Sequence, residues 1–187
     1  LRTPRGIRPV NALVRTANGA FAHPADPGEP GYGEKRIRWS VTPRESEILR
    51  GLSRGRRVLE IGTGLGVSTA RMAQFAERVD TVDVDPWVRQ TIAPGLPDNV
   101  SFYLGSDAVP RNARYSMVFI DGLHQKDAVA ADIRFALAHL ERPGLIVLHD
   151  GRMPHVQVGI EASRIDTSIA FPLPTEAGLV VIFVGDR

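Results

Sequence analysis

The residues able to do chemistry stand in small groups, each at the end of an apolar run. Residues 58–66 read Val58-Leu-Glu-Ile-Gly-Thr-Gly-Leu-Gly. Val58, Leu59 and Ile61 suit a strand covered on both faces. Gly62, Gly64 and Gly66 let the backbone turn sharply and approach a ligand with no Cβ in the way. The segment from Val67 to Ala76 is helical in pattern, so its first free N–H groups point back at the turn. Strand, glycine turn and helix N-terminus form a nucleotide-type pocket at the carboxyl end of a sheet. The spacing is Gly-x-Gly-x-Gly, and Val67 stands where a dinucleotide fingerprint needs its last glycine, which disfavours a nicotinamide-dependent dehydrogenase. About twenty residues further on, Thr81-Val-Asp-Val-Asp-Pro closes another apolar run, and an acid there can accept both ribose hydroxyls of a nucleoside. Two later runs end Met117-Val-Phe-Ile-Asp-Gly-Leu-His and Leu145-Ile-Val-Leu-His-Asp-Gly. Carboxylate oxygen and imidazole nitrogen suit Mg²⁺, Mn²⁺ or another divalent ion. An imidazole titrating near neutrality can also accept a hydroxyl proton.

These groups need strands to carry them, and the pattern supplies strands in alternation with helices. Thr42 is a good N-cap with Pro43 at the first helical position, so a helix is expected from there to about Leu52. Strands follow at Arg57 to Ile61, Val79 to Val84, Val100 to Leu104, Ser116 to Asp121 and Leu145 to His149. Helices are expected from about Gly66 to Ala76, after Pro86, from Gln125 to Leu140 and from Val156 to Ser163. The longest of these carries Val129, Ile133, Ala136, Leu137 and Leu140 at helical spacing. Two last strands, about Thr167 to Phe171 and Leu179 to Val184, are close enough for a hairpin. Alternation of this kind implies an α/β fold with a doubly wound, mostly parallel sheet and right-handed crossovers. Residues 1 to about 40 are rich in Pro, Gly and Arg without a sustained period, and read as an irregular arm or lid before a domain spanning 41–187.

Glu60-Ile-Gly-Thr-Gly-Leu-Gly resembles motif I of the class I S-adenosylmethionine-dependent methyltransferases, Glu-x-Gly-x-Gly-x-Gly. The two later strand ends, with the helix between them, resemble a family of small-molecule O-methyltransferases whose signature is Ile-Asp-Gly-x-His, a helix, then Pro-Gly-Gly-x-Ile-x-x-His-Asp. Here Pro143-Gly144-Leu145 replaces Pro-Gly-Gly. The resemblance covers roughly residues 40 to 150 and implies a Rossmann-like, seven-stranded, mostly parallel sheet ending in an antiparallel strand. It implies S-adenosylmethionine as methyl donor, with Gly62, Thr63, Gly64 and Gly66 shaping the turn around it. Glu60 would lie near the donor's amino-acid moiety and Asp83 would hold the ribose. Asp85 would sit near the same site or cap the helix at Pro86. Relatives hold the adenine amino group with a Gly-Asp-Ala or Gly-Asp-Ser segment. Gly105-Ser-Asp-Ala departs from this, leaving Ser106 or Asp107 for the contact, or Asp107 as a helix cap.

The fold implied by the resemblance sets strands four and five side by side, so Asp121, His149 and Asp150 would converge beside the donor. They are the expected ligands of Mg²⁺ or another divalent cation. The alternative is that Asp121 and Asp150 cap turns or hold the donor's amino group. Enzymes of the catechol type have Asn after the strand-five acid. Gly151 stands there in this chain, so His149 or a water would have to substitute. His124 follows Asp121 by three residues, where those enzymes carry a lysine base, and is the expected catalytic base beside Asp121. The expected acceptor is a hydroxyl of a small molecule, with Trp39 and Tyr32 as candidate stacking surfaces. The competing expectation is a non-catalytic S-adenosylmethionine-binding module of a larger protein.

Composition narrows the setting. The 187 residues are 43% hydrophobic and 24% charged, as in a globular domain of ordinary size. Net charge is +2, and the arginines are scattered, so no nucleic-acid partner is expected. No apolar run approaches a bilayer span, so neither is a membrane. The absence of cysteine removes disulfides and thiolate metal sites and fits the expected cytoplasmic location. The chain opens on Leu rather than Met, so its start is expected to be trimmed or cut from a longer protein. Related small enzymes often dimerise, and a homodimer is the remaining partner expectation.

Overall fold

The structure is a computed structural model, and it describes residues 40–186. The expected arm, with Tyr32 and Trp39, lies outside the described residues. Helix α1 (Pro43–Leu52) starts at a capping box. The Thr42 hydroxyl accepts from the Glu45 N–H, and the Glu45 carboxylate accepts from the Thr42 N–H, so each satisfies a donor that the helix start leaves open. Then come β1 (Arg57–Ile61), α2 (Val67–Ala73), β2 (Arg78–Asp83), α3 (Pro86–Thr91) and β3 (Val100–Leu104). They are followed by β4 (Tyr115–Ile120), α4 (Lys126–His139), β5 (Leu140–Leu148), α5 (Pro154–Ser163), β6 (Ala170–Leu173) and β7 (Leu179–Val184).

The strands form one seven-stranded sheet in the order β3-β2-β1-β4-β5-β7-β6. Pairing is parallel from β3 across to β5, and β7 runs antiparallel to both β5 and β6. Alternation along each strand divides the core between the two faces. Val58 packs with Leu49 of α1 and Met72 of α2 on one face, while Leu59 packs with Val129 and Ile133 of α4 and Val156 of α5 on the other. None of the described helices is long and apolar enough to cross a membrane.

Two boundaries correct the expectation. Strand β5 begins at Leu140, directly after α4, and pairs Tyr115 with Leu140 before a register shift brings Met117 opposite Leu145. The β4–β5 ladder has no regular partners for the residues between, which include the polar Glu141 and Arg142 and so hide this start from a reading of apolar runs. Strand β6 lies at 170–173 rather than 167–171 and contains Pro172. A proline cannot donate to a ladder, but β6 is an edge strand, where that loss is tolerated.

The chain starts its sheet at β1, builds outward to β3, then returns to place β4 on β1's other side. Helices leave β1 and β4 toward opposite faces, which opens a crevice at their carboxyl ends. Glu60 ties the elements around this crevice together. Its side chain is wholly buried and accepts hydrogen bonds from Ser68 and Thr69 of α2 and Thr81 of β2. Burial pushes its carboxyl up to about 7, against the pull of these three hydroxyls and with a further push from the charge of Asp121.

A raised carboxyl favours the folded state most when protonated. The contribution is complete below pH about 4.5 and is lost as pH rises through about 7. Urea unfolding across this range should therefore show wild-type stability falling relative to Glu60→Gln, by up to about 3 kcal/mol. Equal pH slopes for the two proteins would refute the assignment.

Candidate functional site

A cavity of about 660 Å³ opens at the carboxyl ends of β1, β2 and β4. Gly62, Thr63 and Gly64 form its wall after β1. Gly62 has φ 98°, and a Cβ there would lie 2.1 Å from the carbonyl oxygen of Asp121, so only glycine allows the turn to rest against the end of β4. Gly66 has φ 73° and provides no side-chain cap to α2. The Thr63 hydroxyl faces inward, 2.7 Å from that of Thr81.

Asp83, ending β2, lines the cavity. One carboxylate oxygen accepts from the Gly64 N–H at 3.0 Å and the other from the Asp85 N–H at 2.9 Å. Asp85 caps α3, accepting from the Trp87 N–H at 2.9 Å. Of the two residues left open after β3, Ser106 lines the cavity, whereas Asp107 is exposed and outside its lining. Glu60 also stands outside the lining, behind the turn. Its buried bonds to α2 and β2 make it a support of the cavity wall rather than a surface of it.

The second group forms at the neighbouring strand ends. Ile120 of β4 and Leu148 of β5 are register partners, so the next residues, Asp121 and His149, emerge side by side. His149 Nδ1 lies 3.2 Å from Asp121 Oδ1 and 3.0 Å from Asp150 Oδ2. His124 Nε2 lies 3.1 Å from Asp150 Oδ2 and 3.5 Å from Asp121 Oδ1. Asp150 reaches inward from a left-handed backbone, φ 54°, a conformation aspartate tolerates better than most residues. Asp121 and His124 line the cavity as well, so the two groups adjoin.

Charge pairing governs the titration of this group. Burial alone would lower the His149 pKa, but Asp121 and Asp150 override it and push it up to about 11. Asp121 beside His124 raises the latter's pKa against the cost of burial. Burial would raise the Asp121 carboxyl, yet His124 and His149 hold it below the usual range.

The Nε2 atom of His124 is buried, and among the described residues it has no hydrogen-bond partner of good geometry, despite its closeness to two carboxylates. A buried ring nitrogen close to two carboxylate oxygens, with a well-aligned bond to neither, is one that a bound cation could use. Together, Asp121, His124, His149 and Asp150 each offer a ligand atom, all within 4.8 Å of one another. The residues fit a divalent ion, with His124 adding to the expected set. Gly151 cannot stand in for the missing Asn, because a Cβ there would lie 2.4 Å from Val180 Cγ2.

Sequence reasoning passed over two residues. Glu45 shows in the sequence only as an acid in the first turn of α1, where it closes the capping box, but its Oε2 also lies 3.3 Å from His149 Nε2. Burial would raise its carboxyl, yet bonds from Thr175 and the Thr42 backbone, with the charge of His149, hold it down to about 2. A contact across 104 positions has no local signal. Asp132 of α4 lines the cavity, and burial pushes its carboxyl up to about 6. It had a signal: an acid three residues after Val129 and beside Ile133 falls on the helix's apolar stripe.

Residues 59–151 match the family described as a methyltransferase domain. No curated protein sequence matches the chain. Among solved structures, an O-methyltransferase from Bacillus cereus in complex with S-adenosylhomocysteine superposes with TM-score 0.72 at 18% identity, covering 94% of this chain and 90% of that one. The O-methyltransferase TomG from Streptomyces achromogenes, in complex with S-adenosylmethionine, gives 0.68 at 18% identity over 96% and 91%. Cofactor-bound Rv0187 from MTB gives 0.66 at 19% identity over the full length of both chains. At such identities the likeness is one of fold. Residues 59–151 are thus a methyltransferase domain, and the sheet order, the Gly62–Gly66 turn facing Asp83 and the shared fold support its being of the class I S-adenosylmethionine-dependent type.

Proposed function

We propose that this methyltransferase acts on a hydroxyl of a small molecule, assisted by a divalent cation. The observation that carries the reading is the meeting of Asp121, His124, His149 and Asp150 in one group, two members of which line the donor cavity. That the Bacillus cereus and Streptomyces achromogenes neighbours are described as O-methyltransferases supports it. S-adenosylmethionine supplies an electrophilic methyl on sulfonium, and a divalent ion at the acid–histidine group would lower the pKa of an acceptor hydroxyl.

The chain's own task is alignment, which can take several kcal/mol off such a barrier. Backbone N–H groups hold both oxygens of the Asp83 carboxylate, and the remaining lone pairs serve the ribose hydroxyls. Val84 and Leu123 are 82% and 61% exposed, and both line the cavity, so they offer apolar faces to a flat base. Asp121 stands where the donor cavity meets the acid–histidine group, and its negative charge suits a cationic donor. The acceptor oxygen then approaches from the His124 and Asp150 side.

Calorimetry with S-adenosylhomocysteine should show binding that Asp83→Ala weakens by about 30-fold or more, as expected for losing two hydrogen bonds to a charged group. Unchanged affinity in that variant would remove Asp83 from the site. Once an acceptor hydroxyl compound is found, a chelator should lower turnover at least about tenfold, with recovery on adding back a divalent ion. Turnover indifferent to the chelator would end the metal reading and leave the methyltransferase assignment standing.

A further inference from the structure

The donor set, taken atom by atom, says more than that a cation fits. Bonds of roughly 2.0–2.2 Å to nitrogen or oxygen put adjacent ligand atoms about 3.0–3.5 Å apart in a tetrahedral or octahedral shell. The two His124 and two His149 spans to Asp121 and Asp150 run from 3.0 to 3.5 Å. Ion pairing alone would also give such spans, but neither carboxylate makes a well-aligned hydrogen bond to the buried Nε2 of His124.

Two imidazoles among four ligands are a poor match to Mg²⁺, which demands oxygen donors and keeps much of its water. Imidazole suits the borderline first-row ions. The protein also has no route to a further side-chain oxygen at position 151, which is packed against Val180.

Glu45 adds an independent sign. Its buried Oε2 faces the far nitrogen of His149, Nε2, while Nδ1 faces Asp121 and Asp150. A ligating histidine commonly gives its other N–H to a carboxylate, which fixes the tautomer and strengthens the ligand. Glu45 comes from α1, outside the residues 59–151 that match the family.

We infer that the site is built for a borderline divalent ion such as Zn²⁺ or Co²⁺ rather than for Mg²⁺, with His124 as a ligand and Glu45 as the carboxylate that positions His149. The inference rests on the metal-assisted reading above and changes one part of it. A ring nitrogen bound to an ion has no free lone pair, so His124 cannot also be the proton acceptor that its place after Asp121 suggests.

Full-length protein stripped with a chelator and titrated with Co²⁺ alone tests this through visible absorption. About one equivalent should develop the d–d bands of an imidazole-bound ion. Equimolar Zn²⁺ should abolish them, and Mg²⁺ in about hundredfold excess should not. His124→Ala should weaken Co²⁺ binding by about 10- to 100-fold and alter the bands, and Glu45→Gln should weaken it by about tenfold. Circular dichroism shows which variants fold, and His124→Ala alone suffices if Glu45→Gln does not. Displacement of Co²⁺ by equimolar Mg²⁺, or an unaltered spectrum and affinity in His124→Ala, would overturn the inference while sparing metal assistance. Failure of every ion to bind would overturn both, leaving donor binding to be judged by its own calorimetry.

Discussion

The site depends on a backbone approach that only glycine permits. The Asp121 N–H donates to the Ile61 carbonyl at 2.8 Å, and the Gly62 N–H donates to the Val82 carbonyl at 2.8 Å. Three neighbouring strand ends are thereby laced together at one level. The next step of the chain after Ile61 must pass within touching distance of the Asp121 carbonyl, and at φ 98° a side chain on residue 62 would collide with it. This contact sets the spacing between the glycine turn and the acid–histidine group. On the proposed function, donor and acceptor must be held in line, and this spacing is fixed in main-chain atoms, which have few ways to relax.

Two buried glutamates around this junction show how partners decide what a carboxyl does. Glu45 and Glu60 are both fully buried, and both pay the same kind of desolvation penalty. Glu60 meets three neutral hydroxyls, with the negative charge of Asp121 nearby, and its carboxyl rises to about 7. Glu45 meets Thr175, the Thr42 backbone and the cationic form of His149, and its carboxyl falls to about 2. Hydroxyls satisfy lone pairs without offsetting charge, so Glu60 is suited to tying strands to a helix. A histidine partner offsets charge, so Glu45 is suited to orienting a ring.

Much of this was legible because parallel strands are near-continuous apolar runs and their chemistry follows the last apolar residue. Asp83, Asp121, His149 and Asp150 could be singled out as strand-end residues, and the Thr42-Pro43 start of α1 could be read from capping chemistry alone. The rest was hidden for physical reasons. Strand β5 starts inside a segment containing Pro143 and Gly144, residues that normally break strands. Pro172 in β6 is tolerated only because the strand lies on an edge, a fact about sheet order. Glu45 had a sufficient local explanation in its capping box, so nothing in the sequence asked for a second. Asp132 did ask, as an acid on an apolar stripe, and the cavity beneath Gly122 is the answer.

Position 151 shows how a packing constraint can reach the choice of ligand. In the catechol type a side-chain amide follows the strand-five acid. In this chain the residue after Asp150 presses on β7: its N–H donates to the Gly178 carbonyl at 2.7 Å, and a Cβ would meet Val180. Seating the turn this tightly against the antiparallel strand requires glycine and removes an oxygen donor. Two imidazoles stand nearby instead, His149 one residue before Asp150 and His124 from the loop after β4. Both converge on Asp150 Oδ2, at 3.0 and 3.1 Å. If the strand ends hold a cation, as proposed, the close fit of β5 to β7 would shift its donor set from oxygen toward nitrogen.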